Sequence, residues 1–168
     1  IHGARGPEPR TATMSHTARA TELIAYLSFF GATTKENVHE ALWPGQHPDG
    51  KSAQKARNEL MSRARRWLGQ NEEGEWYVPK VGTAGYRLHP DVRSAWDVWR
   101  ELVTPDPASA ETPDLIQAMH LVKGQPFNGV KERRFVWGHR IRTEMIAEIA
   151  DAAHELATRS LRAGDITG

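Results

Sequence analysis

Residues 51–68 have the side chains best suited to chemistry, because basic, amide and hydroxyl groups recur there at helical spacing. A helix turns about 100° per residue, which places the apolar side chains of this segment on one side. The other side carries Gln54, Lys55, Asn58, Ser62, Arg65 and Arg66. Cationic side chains pair with phosphates, and Asn, Gln, Ser and Arg can hydrogen-bond to base edges. The pattern therefore favours a helix that lies in the major groove of duplex DNA.

The charge of this segment supports two interpretations. It has six basic residues and one acidic residue, Glu59. A nucleic-acid-binding helix would need that excess, but a solvent-exposed surface helix could also be rich in arginine, which is a good helix former. The segment alone does not separate the two, so the flanking sequence has to decide. Arg57 falls near the apolar side and is a better candidate for an internal ion pair or a helix-end carbonyl than for a base contact.

The elements that would position this helix can be predicted from spacing and from turn residues. Helices are expected at 17–30, 35–42, 51–68, 91–103, 112–123 and about 138–163. Strand-like residues at 76–78 and 86–88 flank a turn that contains glycine, which predicts a two-stranded hairpin over 76–88. Three helices followed by a hairpin are the order of a helix-turn-helix with a β wing.

Length and composition bound the class of protein. The chain has 168 residues, enough for one ordinary domain or two small ones, with 39% hydrophobic and 26% charged residues. It has no cysteine, which excludes disulfides and thiolate metal sites. No apolar run approaches the roughly 20 residues of a membrane-spanning helix. Because the chain begins with Ile1 and shows no signal peptide, we expect a cytoplasmic piece of a longer protein, whose other domains or membrane anchor would lie outside this fragment.

Charge is distributed unevenly along the chain, although the formal net charge is only +1. Residues 1–90 have 12 basic and 9 acidic groups, whereas residues 91–168 have 10 basic and 12 acidic groups. The positive charge is concentrated in the segment 51–68. Binding to nucleic acid depends on such a local patch rather than on the total charge of the chain.

One motif suggests a different ligand. Residues 45–52 (GQHPDGKS) match the pattern of P-loop nucleotide-binding proteins, and a predicted helix follows. A P-loop needs a buried strand before it and backbone N–H groups around the phosphates. Here a short helix precedes the motif, Pro48 removes one N–H and Asp49 adds negative charge. We interpret the match as accidental and expect the segment to form a helix N-terminus that contacts a DNA phosphate.

The other candidates for enzymatic or metal chemistry are weak. The eight histidines lack metal-ligand spacing, and His154-Glu155 is not followed by the second histidine of a zinc protease motif. The sequence has no Gly-x-Ser-x-Gly nucleophile motif, no dinucleotide-binding glycine motif and no cysteine nucleophile. Most of the six tryptophans flank apolar helix faces, which favours core packing over base stacking. We therefore expect neither an enzyme nor a bound cofactor or metal.

Three short motifs resemble one family of DNA-binding proteins. ALWPG at 41–45, SRARRWLG at 62–69 and GYRL at 85–88 look like the winged helix of SARP-type bacterial transcriptional regulators, which is similar to the DNA-binding domain of OmpR-type response regulators. The resemblance implies that the cationic helix enters the major groove, where Asn58, Ser62 and Arg65 would contact bases, and that the hairpin contacts the backbone or the minor groove. The DNA contacts expected from the helix and the resemblance together are Lys51, Ser52, Lys55, Asn58, Ser62, Arg63, Arg65, Arg66, Lys80, Thr83 and Arg87.

The second half resembles the start of a bacterial transcriptional activator domain (BTAD), a helical-hairpin domain similar to tetratricopeptide (TPR) repeats. AMHLVKGQPFNG at 118–129 and IADAAHELATRSLRAGD at 149–165 carry this resemblance. The family domain usually continues with more helices, and stacked helical units need about three repeats to bury a core, so this half is expected to be truncated. The resemblance implies contacts to RNA polymerase, to a sigma factor or to a second copy of the chain as a homodimer.

Together these observations predict a mainly α-helical chain with one small β-hairpin. A winged helix-turn-helix would occupy residues 17–90, and a TPR-like BTAD module would occupy residues 91–168. Residues 1–16 are expected to be a tail or a remnant of the small β-sheet with which the family opens. The predicted function is sequence-specific binding of double-stranded DNA by a bacterial transcription regulator, without membrane contact by this fragment. The alternatives are a protein–protein interaction module that no longer binds DNA and a small-molecule-sensing regulator.

Overall fold

The chain divides into two compact units, each with its own core. The structure is a computed structural model, and it describes residues 14–80, 82, 85–130 and 134–164. Unit 1 comprises residues 1–93 and 131–136, and unit 2 comprises residues 94–130 and 137–168.

Unit 1 is built around three α-helices. They are α1 (Met14–Phe30), α2 (Lys35–Leu42) and α3 (Lys51–Leu68). The predicted bounds of α2 and α3 are confirmed, and α1 starts earlier than predicted. The predicted tail or remnant strand at 1–16 overlaps the start of α1, and its residues 1–13 lie outside the described part of the chain.

Local signals define the ends of α2 and α3. The Thr34 hydroxyl caps α2 by accepting a hydrogen bond of 3.2 Å from the N–H of Asn37. α3 follows Gly50, which is extended, and ends at Gly69, whose φ of +78° costs glycine little. These signals are local, which is why the sequence predicts both helices to the residue.

The core of unit 1 is formed where α1 packs against α2 and α3. Its buried apolar side chains include Leu23, Ile24, Leu27, Val38, Leu42, Leu60, Met61, Ala64, Leu68, Val78 and Tyr86. Glu22 is also buried, and its carboxylate accepts hydrogen bonds from Arg19 at 2.8 Å and from the N–H of Phe135 at 3.1 Å. A buried carboxylate is tolerated when its charge is paired and hydrogen-bonded, and here the pairing also joins residues 134–136 to α1.

The predicted hairpin at 76–88 is wrong. In the part of the chain that the structure describes, no β-strand forms, and the extended segments make only isolated bridges, at Thr33–Tyr86, Gln70–Trp76 and Gly82–Gly85. A winged helix needs a β-hairpin as its wing, so the predicted winged helix-turn-helix is wrong as well. The described part of unit 1 instead consists of three helices and irregular extended segments.

Backbone hydrogen bonds explain why the strand-like residues do not form a hairpin. The N–H of Tyr77 donates to the carbonyl of Gly69 at 3.1 Å, so this segment pairs with the end of α3. Tyr86 and Thr33 exchange two bonds of 2.8 and 2.9 Å, so the second segment pairs with the turn between α1 and α2. Directly after the second segment, the N–H of His89 donates to the carbonyl of Tyr77 at 2.9 Å. Aromatic and β-branched residues favour extended backbone but do not choose its partner.

Gly85 allows the Thr33–Tyr86 pairing, and its replacement by alanine is expected to destabilise unit 1. Its φ is +73°, and a Cβ atom at this position would overlap the carbonyl oxygen of Thr33. We expect Gly85→Ala to lower the free energy of unfolding by about 2–4 kcal/mol in urea denaturation. Gly82→Ala is the matched control, because a Cβ atom there meets open space, and it should change stability by less than about 1 kcal/mol. Equal effects of the two variants would contradict the assigned pairing.

The described residues of unit 2 form three further α-helices. They are α4 (Ala95–Val103), α5 (Thr112–Leu121) and α6 (His139–Ala163), and a 3₁₀ turn at Val136–Gly138 precedes α6. α4 starts later than predicted because Ser94 and Asp97 form a capping box. The Asp97 carboxylate accepts from the N–H of Ser94 at 2.7 Å, and the Ser94 hydroxyl accepts from the N–H of Asp97 at 3.1 Å.

The core of unit 2 forms where α5 packs against α4 and α6. Its buried residues are Trp99, Val103, Ala110, Leu115, Ala118 and Ala152. Arg159 of α6 is hydrogen-bonded to the loop between α4 and α5. Its guanidinium donates to the carbonyls of Ala108 and Ala110, both at 2.8 Å, and to the hydroxyl of Thr112 at 3.1 Å.

Candidate nucleic-acid interface

α3 separates its apolar and polar side chains. Leu60, Met61, Ala64 and Leu68 are buried, and the helix packs on α1. The opposite side is exposed and carries Lys51, Ser52, Gln54, Lys55, Asn58, Glu59 and Arg66, with Ser62 and Arg63 half-buried beside them. The predicted amphipathic helix is therefore confirmed, and its accessible side carries four cations, Lys51, Lys55, Arg63 and Arg66, against one carboxylate.

The N-terminus of α3 adds a second positive feature. Gly50 occupies the cap position, and no side-chain cap is found for this helix among the described residues. The N–H groups of a first turn have no partner within the helix, and the helix dipole is positive at this end. Lys51 and Ser52 are exposed there, so this end of α3 suits an anionic group.

Arg65 lies at the edge of this face and is engaged within the protein. Its Nε donates to the carbonyl of Val78 at 2.8 Å, and its Nη2 donates to the carbonyl of Pro79 at 3.0 Å. These bonds hold residues 78–79 against the end of α3. The side chain is half-buried, so its contacts favour a structural role over the expected contact with a base.

Arg57 is buried, with 4% of its surface exposed. Its Nη1 donates to the carbonyl of Pro48 at 2.8 Å and lies 3.1 Å from Nδ1 of His39. The expected burial of Arg57 is found, but neither expected partner is: instead of an acidic group or a helix-end carbonyl, Arg57 binds a carbonyl of the loop that leads into α3. Arg57 thereby connects α2, this loop and α3.

His39 is the residue in contact with Arg57 whose protonation can change near neutral pH. It is 1% exposed, and its Nδ1 faces the permanent charge of Arg57. Burial lowers the pKa of His39 from its ordinary value, and Arg57 lowers this pKa further, while smaller effects of the Gln46 backbone, Glu40 and Asp49 oppose the shift. His39 is therefore neutral in folded unit 1 at neutral pH and accepts at Nδ1.

Unit 1 is expected to lose stability on acidification through His39. Between its lowered folded pKa and its unfolded pKa near 6.5, the unfolded chain binds more protons, so the free energy of unfolding falls as pH falls below about 6.5. Urea denaturation between about pH 5 and pH 8 should show this fall, and His39→Gln should flatten it. His154→Gln, which removes an exposed histidine of α6, should keep the wild-type profile. An unchanged slope in His39→Gln would refute the assignment.

The expected contacts outside α3 are placed only in part. Lys80 is exposed and directly follows Pro79, whose carbonyl Arg65 binds, so it lies near the end of α3. Arg87 is exposed and directly follows Tyr86, which pairs with Thr33. Thr83 lies outside the described residues.

Sequence reasoning missed Lys35. This residue is the first of α2, is exposed, and lines the same small pocket as Asn58 and Gln54 of α3. Its position directly after the capping Thr34 was predictable. What could not be predicted is the packing that brings the start of α2 beside the second turn of α3.

The described residues contain neither a candidate metal site nor a helix that could span a membrane. No group of three or more His, Cys, Asp or Glu side chains there could hold a metal ion. None of the described helices combines the length and the apolar character that crossing a membrane requires.

Comparison with known proteins adds no family assignment. No protein-family model matches the chain, and no curated protein sequence matches it significantly. The resemblance to SARP-type regulators therefore stays a prediction that rests on the three motifs at 41–45, 62–69 and 85–88.

Proposed function

We propose that unit 1 binds double-stranded DNA through the exposed face of α3. The proposal rests on the difference between the two sides of this helix. Its apolar side is buried on α1, and its accessible side combines four cations with amide and hydroxyl groups. An α-helix fits the width of the major groove, where such groups reach both phosphates and base edges.

The side chains divide into two kinds of contact. Lys51, Lys55, Arg63 and Arg66 would pair with phosphates and fix the orientation of the helix. Gln54, Asn58 and Ser62 would hydrogen-bond to base edges, and an amide can make two bonds with adenine. Arg65 is left out because its guanidinium is bonded to the carbonyls of residues 78 and 79. Lys80 and Arg87 would add phosphate contacts without a β wing.

The wider role follows from the sequence resemblance. We propose a bacterial transcription regulator of the SARP type that acts in the cytoplasm and without a catalytic step. A single helix covers few base pairs, so two copies on tandem half-sites would supply useful specificity. Unit 2 would contact a second copy, RNA polymerase or a sigma factor.

Selection from a random pool of duplexes tests the proposal. The full chain should enrich a short motif, and its affinity for that motif should fall steeply as salt rises, because each phosphate contact releases counterions. Failure to enrich any sequence, together with equal retention of the pool at low and high salt, would refute the proposal.

A protein-interaction module is the second candidate, and one observation favours it. Glu59 is exposed on the same face of α3 as the cations, where its carboxylate would repel phosphates. Glu59→Gln separates the two candidates. It should strengthen duplex binding if the face contacts DNA, whereas an interaction module would gain no duplex binding.

A further inference from the structure

A small polar pocket lies beside the exposed face of α3. Its volume is about 150 Å³, and it lies where the start of α2, the loop before α3 and the second turn of α3 meet. It is lined by Lys35, Asp49, Gln54, Arg57, Asn58 and Tyr86. All of these residues belong to unit 1.

Arg57 gives the pocket a buried cation with unused donors. Its Nη1 donates to the carbonyl of Pro48 and to Nδ1 of His39. Its Nε and Nη2 donate to no group in the described part of the chain. None of the ion pairs among the described residues includes Arg57. Its unused donors are not sealed in the core, because Arg57 borders a pocket that is open to solvent. A buried guanidinium without a carboxylate is costly, and an anion that accepts from these donors would offset the cost.

The other side chains around the pocket also suit an oxyanion. Lys35 adds a second cation, and the ion pair that it makes with Glu36, at 3.5 Å, is exposed to solvent. Gln54 and Asn58 can each donate one amide N–H to the oxyanion, which leaves the second N–H and the carbonyl of that amide for a base edge. Among the described lining residues Asp49 is the acidic one, and it opposes an anion. The charged groups of the lining therefore sum to one net positive charge.

We propose that this pocket binds a single phosphate group. A tetrahedral oxyanion fits the volume, and the planar guanidinium of Arg57 can donate two parallel hydrogen bonds to it. The phosphate can belong to a DNA backbone, in which case the inference rests on the proposed function, or it can be free inorganic phosphate. The chemistry of recognition is the same for both sources.

Titration of the full chain with inorganic phosphate at constant ionic strength tests the pocket. The side-chain amide resonances of Gln54 and Asn58 and the Nε–H resonance of Arg57 should shift saturably. Asp49→Asn should tighten phosphate binding about threefold, because it removes the negative charge of the described lining, and Lys35→Gln should weaken it about threefold. Both side chains are exposed, so neither variant should unfold the chain.

Matched charge changes elsewhere provide the controls. Glu73→Gln and Lys123→Gln alter exposed residues outside the pocket and should leave phosphate affinity unchanged. The inference is overturned if phosphate causes no saturable shift, or if Asp49→Asn and Glu73→Gln bind phosphate equally.

Duplex binding by the same variants distinguishes the two sources. If the pocket holds a backbone phosphate, Asp49→Asn should also raise duplex affinity about threefold over Glu73→Gln. If it holds free phosphate, those two variants should bind duplex equally while phosphate still binds. Phosphate binding without duplex binding would refute only the proposed function, and duplex binding without phosphate binding would refute only this inference.

Discussion

The double variant Lys55→Ala, Arg66→Ala is expected to weaken duplex binding by about 10-fold to 100-fold at moderate salt, because it removes two phosphate contacts. The plot of log affinity against log salt concentration should also become shallower by about two units, since each lost contact releases about one counterion fewer. Both side chains are exposed, so the fold of unit 1 should persist, as circular dichroism can verify.

The matched control removes two positive charges from unit 2. Lys123 and Arg162 are exposed, and neither belongs to the proposed DNA contacts. Their double replacement by alanine should change duplex affinity by less than about threefold, because neither side chain contributes one of the proposed phosphate contacts that release counterions. If both double variants lost the same affinity and the same salt dependence, binding would follow net charge alone and the proposed face would be refuted.

The second large effect is expected at Arg159. Its guanidinium donates to the carbonyls of Pro107, Ala108 and Ala110, and its Nε pairs with Glu155 at 2.7 Å. Arg159→Ala removes these bonds and leaves the partly buried carbonyls of Pro107 and Ala110 without this donor. We expect the free energy of unfolding of unit 2 to fall by about 2–4 kcal/mol in urea denaturation followed by tryptophan fluorescence.

Arg162→Ala is the control for Arg159→Ala. It removes the same side chain from the same helix at an exposed position without a described partner, so stability should change by less than about 0.5 kcal/mol. Arg159→Lys keeps the charge but not the planar set of donors, and it should lose most of the same stability. Wild-type stability in Arg159→Ala would show that the loop does not depend on this side chain.

Local sequence signals account for the helices and for the side of α3 that faces solvent. Helix α3 lies between Gly50 and Gly69. Its apolar residues recur at helical spacing, so they fall on one face, and that face is the one that is buried. The position of Arg57 near the apolar side was enough to predict its internal role, since burial of an arginine requires an internal acceptor.

Partner choice between distant segments could not be predicted in the same way. Residues 76–78 and 86–88 have the composition of strands, but the first pairs with the end of α3 and the second with Thr33. The bond from Phe135 to the buried Glu22 spans 113 positions and has no local signal. The engagement of Arg65 depends on where residues 78–79 fold back, so its spacing on the helix alone could not separate it from Arg66.

The most direct test of the central claim is to map the backbone amide shifts of the wild-type chain by NMR during titration with a short duplex. The proposal predicts that the largest shifts fall in the first turns of α3, at Lys51, Ser52, Lys55 and Asn58, and that they diminish when salt is raised. Shifts confined to residues outside α3, or no saturable shifts at low salt, would contradict the claim that the exposed face of α3 contacts DNA.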